Sequence, residues 1–519
     1  MVKKMDRISE LPKDVLRKIL YFLSQEEAAR TSILSKPWRY IWCTRPNLDF
    51  SYAPPPREGN NSHGGVRNKI NKDEFLSIVD NALRRCHDQN VCVEEFRLST
   101  SLGDLDHESV SFLEKWAELL SNMGTKKFDL SLLSDHAPGR VELPPVVFGS
   151  ESLQRLHVER FVLDEKAIER LVPLKHLKSL SLQEIVIQDE VVFGKIIANC
   201  PLIENLDVQG LVTSNIIKVD DLRNLKKLKF HSDVLRLKSG EQLCSIEIHR
   251  PSSLETLKIQ TGNISLNKGA EFLNLKKLYL SYVESPLDHL SSCKFPSLEY
   301  LKFNGCNGLK GIRVFIDAPK LVYFEYTEKF VPSIYIATAS EEWKSSVNLW
   351  YKPSNDPPSL FFPRLKELLE SLSQSKIYLN LTRAMHYNNE PYVIPENIQN
   401  GCDGDKYVAV ESLNFFLCLP SFRYILNGFF GICRPRYVVG ESRYCGDWDW
   451  KTGVTECLWK ILIVERESQE EWFRDLEEAR LEICGLSNRD EWRSITFSEL
   501  SNYDHSEYHT RYALKWRGN

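Results

Sequence analysis

Three spacings in this chain of 519 residues carry side chains that could do chemistry. His505 and His509 are four apart, the interval at which two metal ligands share a helix face, but no third ligand stands at a matching spacing, and exposed histidines account for the pair. Asp447 and Asp449 flank Trp448 as a carboxylate pair for acid–base work would, and a polar loop between tryptophans describes them better. Cys86, His87 and Cys92 are close in sequence yet lack a fourth ligand and a firm spacing. No phosphate loop, no GxGxxG after a strand, no GxSxG elbow and no HExxH occurs. No residue is therefore assigned to catalysis, to a metal or to a cofactor, and the chemistry that remains is recognition.

The residues for recognition are placed by a repeat. The template LxxLxL recurs with first positions at Leu153, Leu177, Ile203, Leu225, Leu254, Leu275, Leu298 and Leu321, a step of twenty-odd residues. That is the leucine-rich-repeat interval, in which each unit adds one strand to a parallel sheet and returns by a helix or an irregular segment. Val93-Phe96-Leu98 and Thr125-Phe128-Leu130 read as earlier, degenerate copies, and Ile377-Leu379-Leu381 as a late one after a helical stretch from Pro363 to Ser373. Alternate side chains of a strand point oppositely, so the leucines go inward and the residues between them line the open concave face. In that position stand Lys227, Lys229, Lys258, Lys277 and Lys302, with Tyr279 and Tyr300 among them. Such a strip favours an acidic or phosphorylated segment of a partner, Lys supplying charge and Tyr apolar area. A solvated sheet face is the alternative, because lysine on exposed strands also blocks edge pairing.

Residues 5–45 read as a compact helical module. Pro12 suits a helix start, and from about Pro12 to Leu23 the residues Val15, Leu16, Ile19, Leu20 and Leu23 form one apolar stripe. Ser24-Gln25-Glu26-Glu27 has the form of a capping box for a second helix. Pro37 is expected to stop that helix near Lys36, and Trp38, Ile41 and Trp42 add a third apolar turn. About 40 residues lie at the lower limit for a self-sufficient core, so the module should dock onto something.

The string Leu11-Pro12, Ile19-Leu20, Ala28-Ala29, Leu34-Ser35 and Trp38-Arg39 resembles an F-box. With the repeats, and with the phrases Asn199-Cys200-Pro201 and Phe295-Pro296-Ser297-Leu298, the chain resembles plant F-box/leucine-rich-repeat proteins. The resemblance implies a non-catalytic substrate receptor of an SCF-type ubiquitin ligase. Its F-box would bind a Skp-type adaptor, and through it cullin, while the repeats hold a protein for ubiquitination. It also implies that Leu11, Pro12, Leu16, Leu20, Leu34 and Trp38 lie on, or directly support, the adaptor surface. A small-molecule-dependent F-box receptor and a ligase-independent repeat scaffold are the alternatives.

The expected architecture is α/β. It comprises a three-helix F-box at 5–45, a linker or loose loop at 51–70, a leucine-rich-repeat solenoid at 72–381 with a parallel sheet on its concave face, and a small α+β C-terminal cap at 382–519. The 51–70 stretch is rich in Pro, Gly, Asn and Ser, and residues 72–87 regain helical periodicity. In the last segment, Tyr407–Leu419 and Val454–Val464 read as strands and Gln469–Leu486 as a charged helix. Its location resembles the FBD-like domain that many plant F-box repeat proteins carry.

Composition fits these expectations: 42% hydrophobic and 27% charged residues describe an ordinary globular chain. No apolar run is long enough to span a membrane, and no signal peptide opens the chain. Thirteen cysteines without a CxxC pair suit reduced thiols in the nucleus or cytoplasm. A net charge of −4 offers no general attraction to nucleic acid.

Overall fold

The computed structural model describes residues 8, 11–23, 25–52, 71–100, 107–132, 141–187, 189–212, 216–219, 222–232, 244–249, 253–351, 358–383, 407–416, 422–440, 450–464, 471–485, 491–500, 502–503 and 508–517. They form a mixed α/β protein that divides into two compact units, Met1–Leu257 with Thr261–Ser265 and Lys258–Gln260 with Leu266–Asn519.

The first unit opens with three helices, α1 (Lys13–Tyr21), α2 (Gln25–Thr31) and α3 (Lys36–Cys43). Leu16 and Leu20 of α1 close against Ala28, Trp38 and Ile41, with Ile19, Leu23 and Trp42 at the margin. Pro37 does not stop the second helix as expected. That helix ends at Thr31, and Pro37 sits in the first turn of α3, where a residue without an N–H leaves no helical bond unmade. Ser24 of the expected capping box lies outside the described residues.

Seven parallel strands follow, with helices between some of them. They are β1 (Asn47–Tyr52), β2 (Glu95–Thr100), β3 (Lys127–Leu132), β4 (Arg155–Glu159), β5 (Ser179–Ile187), β6 (Asn205–Val212) and β7 (Lys227–Ser232). Their register aligns Leu48, Phe96, Phe128, Leu156, Leu180, Leu206 and Leu228 in one buried row. Phe50, Leu98, Leu130, Val158, Leu182, Val208 and Phe230 form a second. Each repeat thus adds two apolar side chains to a continuous interior. Helices α4 (Lys72–Asp88) and α5 (His107–Asn122) are tied by Asp80, whose carboxylate accepts from Lys115 Nζ at 2.8 Å and Trp116 Nε1 at 3.1 Å and pairs with Arg84 Nε at 2.7 Å. Burial alone would raise the Asp80 pKa, but these donors outweigh it and hold the carboxyl below its usual range. Helix α6 (Glu190–Ala198) returns between β5 and β6, capped by the Asp189 carboxylate, which accepts from Val191 N at 2.8 Å.

The second unit repeats the theme with β8 (Lys277–Ser281), β9 (Tyr300–Asn304), β10 (Tyr323–Glu328), β11 (Lys344–Tyr351), β12 (Lys376–Arg383), β13 (Val408–Phe416) and β14 (Cys433–Gly440), all parallel. Leu280, Phe303, Tyr326, Val347, Leu379, Leu413 and Val438 share one buried row. Parallel pairing runs on past residue 382, where the repeat was expected to fade, since Leu379 stands opposite Leu413. Helix α7 (Pro358–Ser371) packs on α8 (Phe422–Ile432), the Phe362 and Phe429 rings meeting edge to face at 5.4 Å.

Two readings of the last segment are corrected. Val454–Val464, expected as a strand, belongs to helix α9 (Trp450–Trp459) and the π-helical turn Lys460–Val464. Buried Leu458, Ile461 and Leu462 follow helical spacing there. The expected helix at Gln469–Leu486 is instead strand β15 (Leu476–Gly485) after a short turn, antiparallel to β16 (Tyr508–Trp516), which in turn meets β14 antiparallel. Leu481 and Ile483 alternate inward, and pairing with β16 overrides the three- and four-residue spacing of Trp472, Leu476, Ala479 and Ile483.

Candidate docking surfaces

The expected adaptor residues split into two groups. Leu16, Leu20 and Trp38 are interior and hold the three helices together, whereas Leu11, Pro12 and Leu34 face solvent. Further apolar residues of this module are exposed and were not singled out from sequence as adaptor residues, among them Val15, Phe22 and Ile33. Val15 was read as part of the apolar stripe of α1, and Ile33 precedes Leu34 in the turn after α2. Ile33 and Leu34 stand next to each other in a turn whose amides bond back to Arg30 and Thr31, which keeps both from folding into the small core. The end of α1 is anchored on the sheet, because the Tyr21 hydroxyl donates to Glu95 Oε2 at 3.4 Å and Lys127 Nζ reaches the same hydroxyl at 3.4 Å.

The expected lysine strip divides between the units. In the first, the outward row reads Asp49, Arg97, Asp129, His157, Ser181, Asp207, Lys229, and its charges alternate. Arg97 is bound on both sides, to Asp49 and Asp129 at 3.2 Å each. Burial opposes its charge, yet these carboxylates and Glu95 hold its pKa above the usual value. Lys229 pairs with Asp207 at 3.2 Å, while Lys227 makes no ion pair with another described residue.

In the second unit, the Lys277 ammonium lies 5.1 Å from the Tyr300 ring centre and Lys302 pairs with Glu325 at 2.8 Å. Burial, followed by Tyr300 and Glu325, pushes the Tyr279 hydroxyl up. Lys258 is exposed. The basic and aromatic character extends beyond the expected strip, since Tyr323, Lys344 and Lys376 stand in register with Lys277 and Tyr300. Tyr323 occupies the same LxxLxL slot as Tyr300 and was legible on that basis. Lys344 belongs to a strand without the template. Four residues further along the strands, polar side chains are linked in series: Asn348 Nδ2 donates to Thr327 Oγ1 at 3.0 Å, Asn380 Nδ2 to Asn348 Oδ1 at 2.5 Å, and Asn414 Nδ2 to Asn380 Oδ1 at 2.5 Å.

Of the candidate chemical spacings, only Cys86, His87 and Cys92 lie wholly among the described residues, and they form no centre. Asp447, Trp448, Asp449 and His505 lie outside the described residues. Cys86 is buried, its thiol pushed up by burial, while His87 and Cys92 are exposed. Among the described residues, no three His, Cys, Asp or Glu side chains converge as metal ligands would, and no helix is long and apolar enough to cross a membrane.

Comparison with known proteins meets these surfaces from outside. Residues 8–50 match the F-box domain family, and residues 113–219 match the family described as FBD-associated F-box protein At5g56370, LRR repeats. The chain is similar to the F-box/LRR-repeat protein At3g59210 of Arabidopsis thaliana, 28% identical over 333 residues that cover 56% of this chain and 64% of that protein. From the same plant, F-box/LRR-repeat protein At3g59200 is 31% identical over 234 residues, 43% of this chain and 41% of its own length. F-box/FBD/LRR-repeat protein At1g78750 is 27% identical over 209 residues, 40% of this chain and 42% of its own length. The chain spans about half the length of the curated relatives it matches. The resemblance to plant F-box/leucine-rich-repeat proteins is borne out.

Proposed function

We propose that this chain is a substrate receptor of an SCF-type ubiquitin ligase. Helices α1 to α3 act as a three-helix F-box that binds a Skp-type adaptor and, through it, cullin. The parallel strands act as a leucine-rich-repeat solenoid that holds a target protein, in the nucleus or the cytoplasm. The observation that carries the reading is the exposed apolar set Leu11, Ile33 and Leu34, in the turns flanking helices that already have their own core. Exposed aliphatic side chains beside a filled interior are what a docking surface requires.

The receptor makes and breaks no bond itself. Holding a target lysine near a charged conjugating enzyme raises its local concentration, and rate follows from proximity. Each unit offers polar, partly basic strand faces for that task. Lys227 and Lys229 stand in the first, and Lys258, Lys277, Tyr279, Tyr300 and Lys302 in the second, and an acidic or phosphorylated target segment fits them. The test is co-purification of the full chain with a Skp-type adaptor. A stable complex that captures cullin supports the reading, and a folded chain that binds no adaptor leaves a ligase-independent scaffold.

A further inference from the structure

A cleft of about 360 Å³ opens in the second unit where β12, β13 and β14 begin and β16 ends. Among the described residues its charged lining is Lys376, Arg434, Arg436 and Lys515 against one carboxylate, Glu411, with the Trp516 ring in its wall. We propose that this cleft binds an anionic group, carboxylate or phosphoryl, carried by an acidic peptide segment. The inference stands apart from the adaptor reading and involves none of its residues.

The four cations do different things. Arg434 is buried and fixed, donating to Asp475 Oδ2 at 2.7 Å and to the Phe430 and Cys433 carbonyls. Its guanidinium carbon lies 3.2 Å from the Tyr407 ring centre and 4.6 Å from that of Trp516. Its charge is matched by Asp475, and it serves as a rigid wall between the Tyr407 and Trp516 rings. Lys515 is matched by Glu477 at 2.9 Å. The other two cations have capacity left. Lys376 makes no ion pair with another described residue, and the one described acidic partner of Arg436, Glu411, stands at 3.7 Å. That distance is too long for a good hydrogen bond, so the planar fork keeps its donors for a carboxylate or phosphoryl group. Both side chains are exposed at the cleft, which therefore sets two movable cations against a fixed wall. Lys344, in register beside Lys376, extends the positive rim by one strand.

The occupant is a peptide rather than nucleic acid on two grounds. A nucleic-acid track needs an unbroken basic face following several phosphates. Here Glu411, Asp475 and Glu477 interrupt the cations within the same small area. The volume suits one or two side chains, at the small end of ligand sites, and the ring of Trp516 with Ile377 and Leu514 gives apolar wall for a neighbouring residue.

The test is fluorescence anisotropy with the full chain and labelled peptides of one length, glutamate-rich, phosphoserine-containing or glutamine-rich, together with a single-stranded RNA of similar length. The expected result is binding of the acidic or the phosphorylated peptide and none of the neutral one. Lys376→Glu combined with Arg436→Glu should weaken that binding about tenfold or more. Lys268→Glu with Lys320→Glu, two exposed lysines elsewhere in this unit, matches the charge change and should leave binding as it was. Equal loss in both pairs would reduce the effect to net charge and overturn the proposal. So would unaltered binding in a cleft variant that melts like the wild type, or tighter binding of the RNA than of either peptide.

Discussion

Removing exposed apolar side chains from the turns that flank the three helices should weaken adaptor binding severely without unfolding the module. Ile33 is 85% exposed, Leu34 65% and Leu11 37%, while Trp38 is 4% exposed. Full burial of a Leu or Ile side chain stabilises by about 1.5 to 3 kcal/mol, so covering what remains exposed contributes roughly 1.3 to 2.6 kcal/mol at Ile33, 1.0 to 2.0 at Leu34 and 0.6 to 1.1 at Leu11. The sum is about 3 to 6 kcal/mol, and the Leu11→Ala, Ile33→Ala, Leu34→Ala variant should lose roughly a hundredfold to ten-thousandfold in adaptor affinity. Ile33 and Leu34 have little buried surface to lose in the free protein, so their truncation should barely move its melting curve, whereas Leu11, mostly covered, adds a destabilisation of about 1 to 2 kcal/mol that the melt reads separately. Trp38→Ala is the contrast, because a buried Trp→Ala change costs about 3 to 5 kcal/mol in folding, enough to undo a core of this size. It would lose the adaptor by losing the module. Titration of immobilised adaptor, with a thermal melt of each variant, separates the two. A triple variant that keeps wild-type affinity to within about threefold, against the losses worked from burial, refutes the argument that these side chains make the interface.

Three other substitutions test packing and electrostatics. A Cβ at Gly428 would overlap the Phe362 ring, whereas one at Gly431 in the same helix meets nothing within 4 Å. Gly428→Ala should therefore destabilise by about 1 to 3 kcal/mol and Gly431→Ala be neutral or stabilising by up to about 1 kcal/mol, read as the order of their melting temperatures. Asp80→Asn keeps the shape but removes the ion pairs to Arg84 and Lys115, with an expected loss of about 1 kcal/mol at neutral pH. Because the folded-state pKa of Asp80 lies below its ordinary value, its contribution is present above about pH 4 and disappears as the pH falls through the folded value. The variant should show a flatter acid limb in melts taken below that pH, and an unchanged limb would assign acid sensitivity to other carboxylates.

How much of this was legible in the sequence depends on whether the deciding partner was local. Helices α1 to α4 and the eight LxxLxL strands follow from periodicity within one element, and α4 appears where Phe75, Val79 and Leu83 repeat. Strand β1 was hidden because Leu48 and Phe50 run straight into a Pro- and Gly-rich stretch, and β11 because a buried serine, Ser345, occupies an inward slot where the template has leucine. Strand β15 was misread because its partner, β16, lies some thirty residues away in sequence, beyond the reach of a window. The site divides in the same way. That Leu34 is outside and Leu16 inside is a tertiary fact, since both are leucines of one helical motif. The Lys302–Glu325 pair, by contrast, was readable: both residues fill the slot between the second and third apolar positions of adjacent repeats, so the register that stacks Leu301 on Phe324 also brings the two charges together.

The linked asparagines of the second unit have a consequence for alignment. Each amide donates to the oxygen of the strand before it, so Thr327, Asn348, Asn380 and Asn414 satisfy one another only when four strands are set level. A slip of one residue would turn these amides toward the leucine rows and leave their polar atoms facing hydrocarbon, at a penalty of roughly 1 to 3 kcal/mol for each unmatched group. Leucine rows alone are permissive, because one aliphatic contact substitutes for another with little preference. The amide thread works as a key cut across the stack, telling near-identical strands which neighbour to take and at what height.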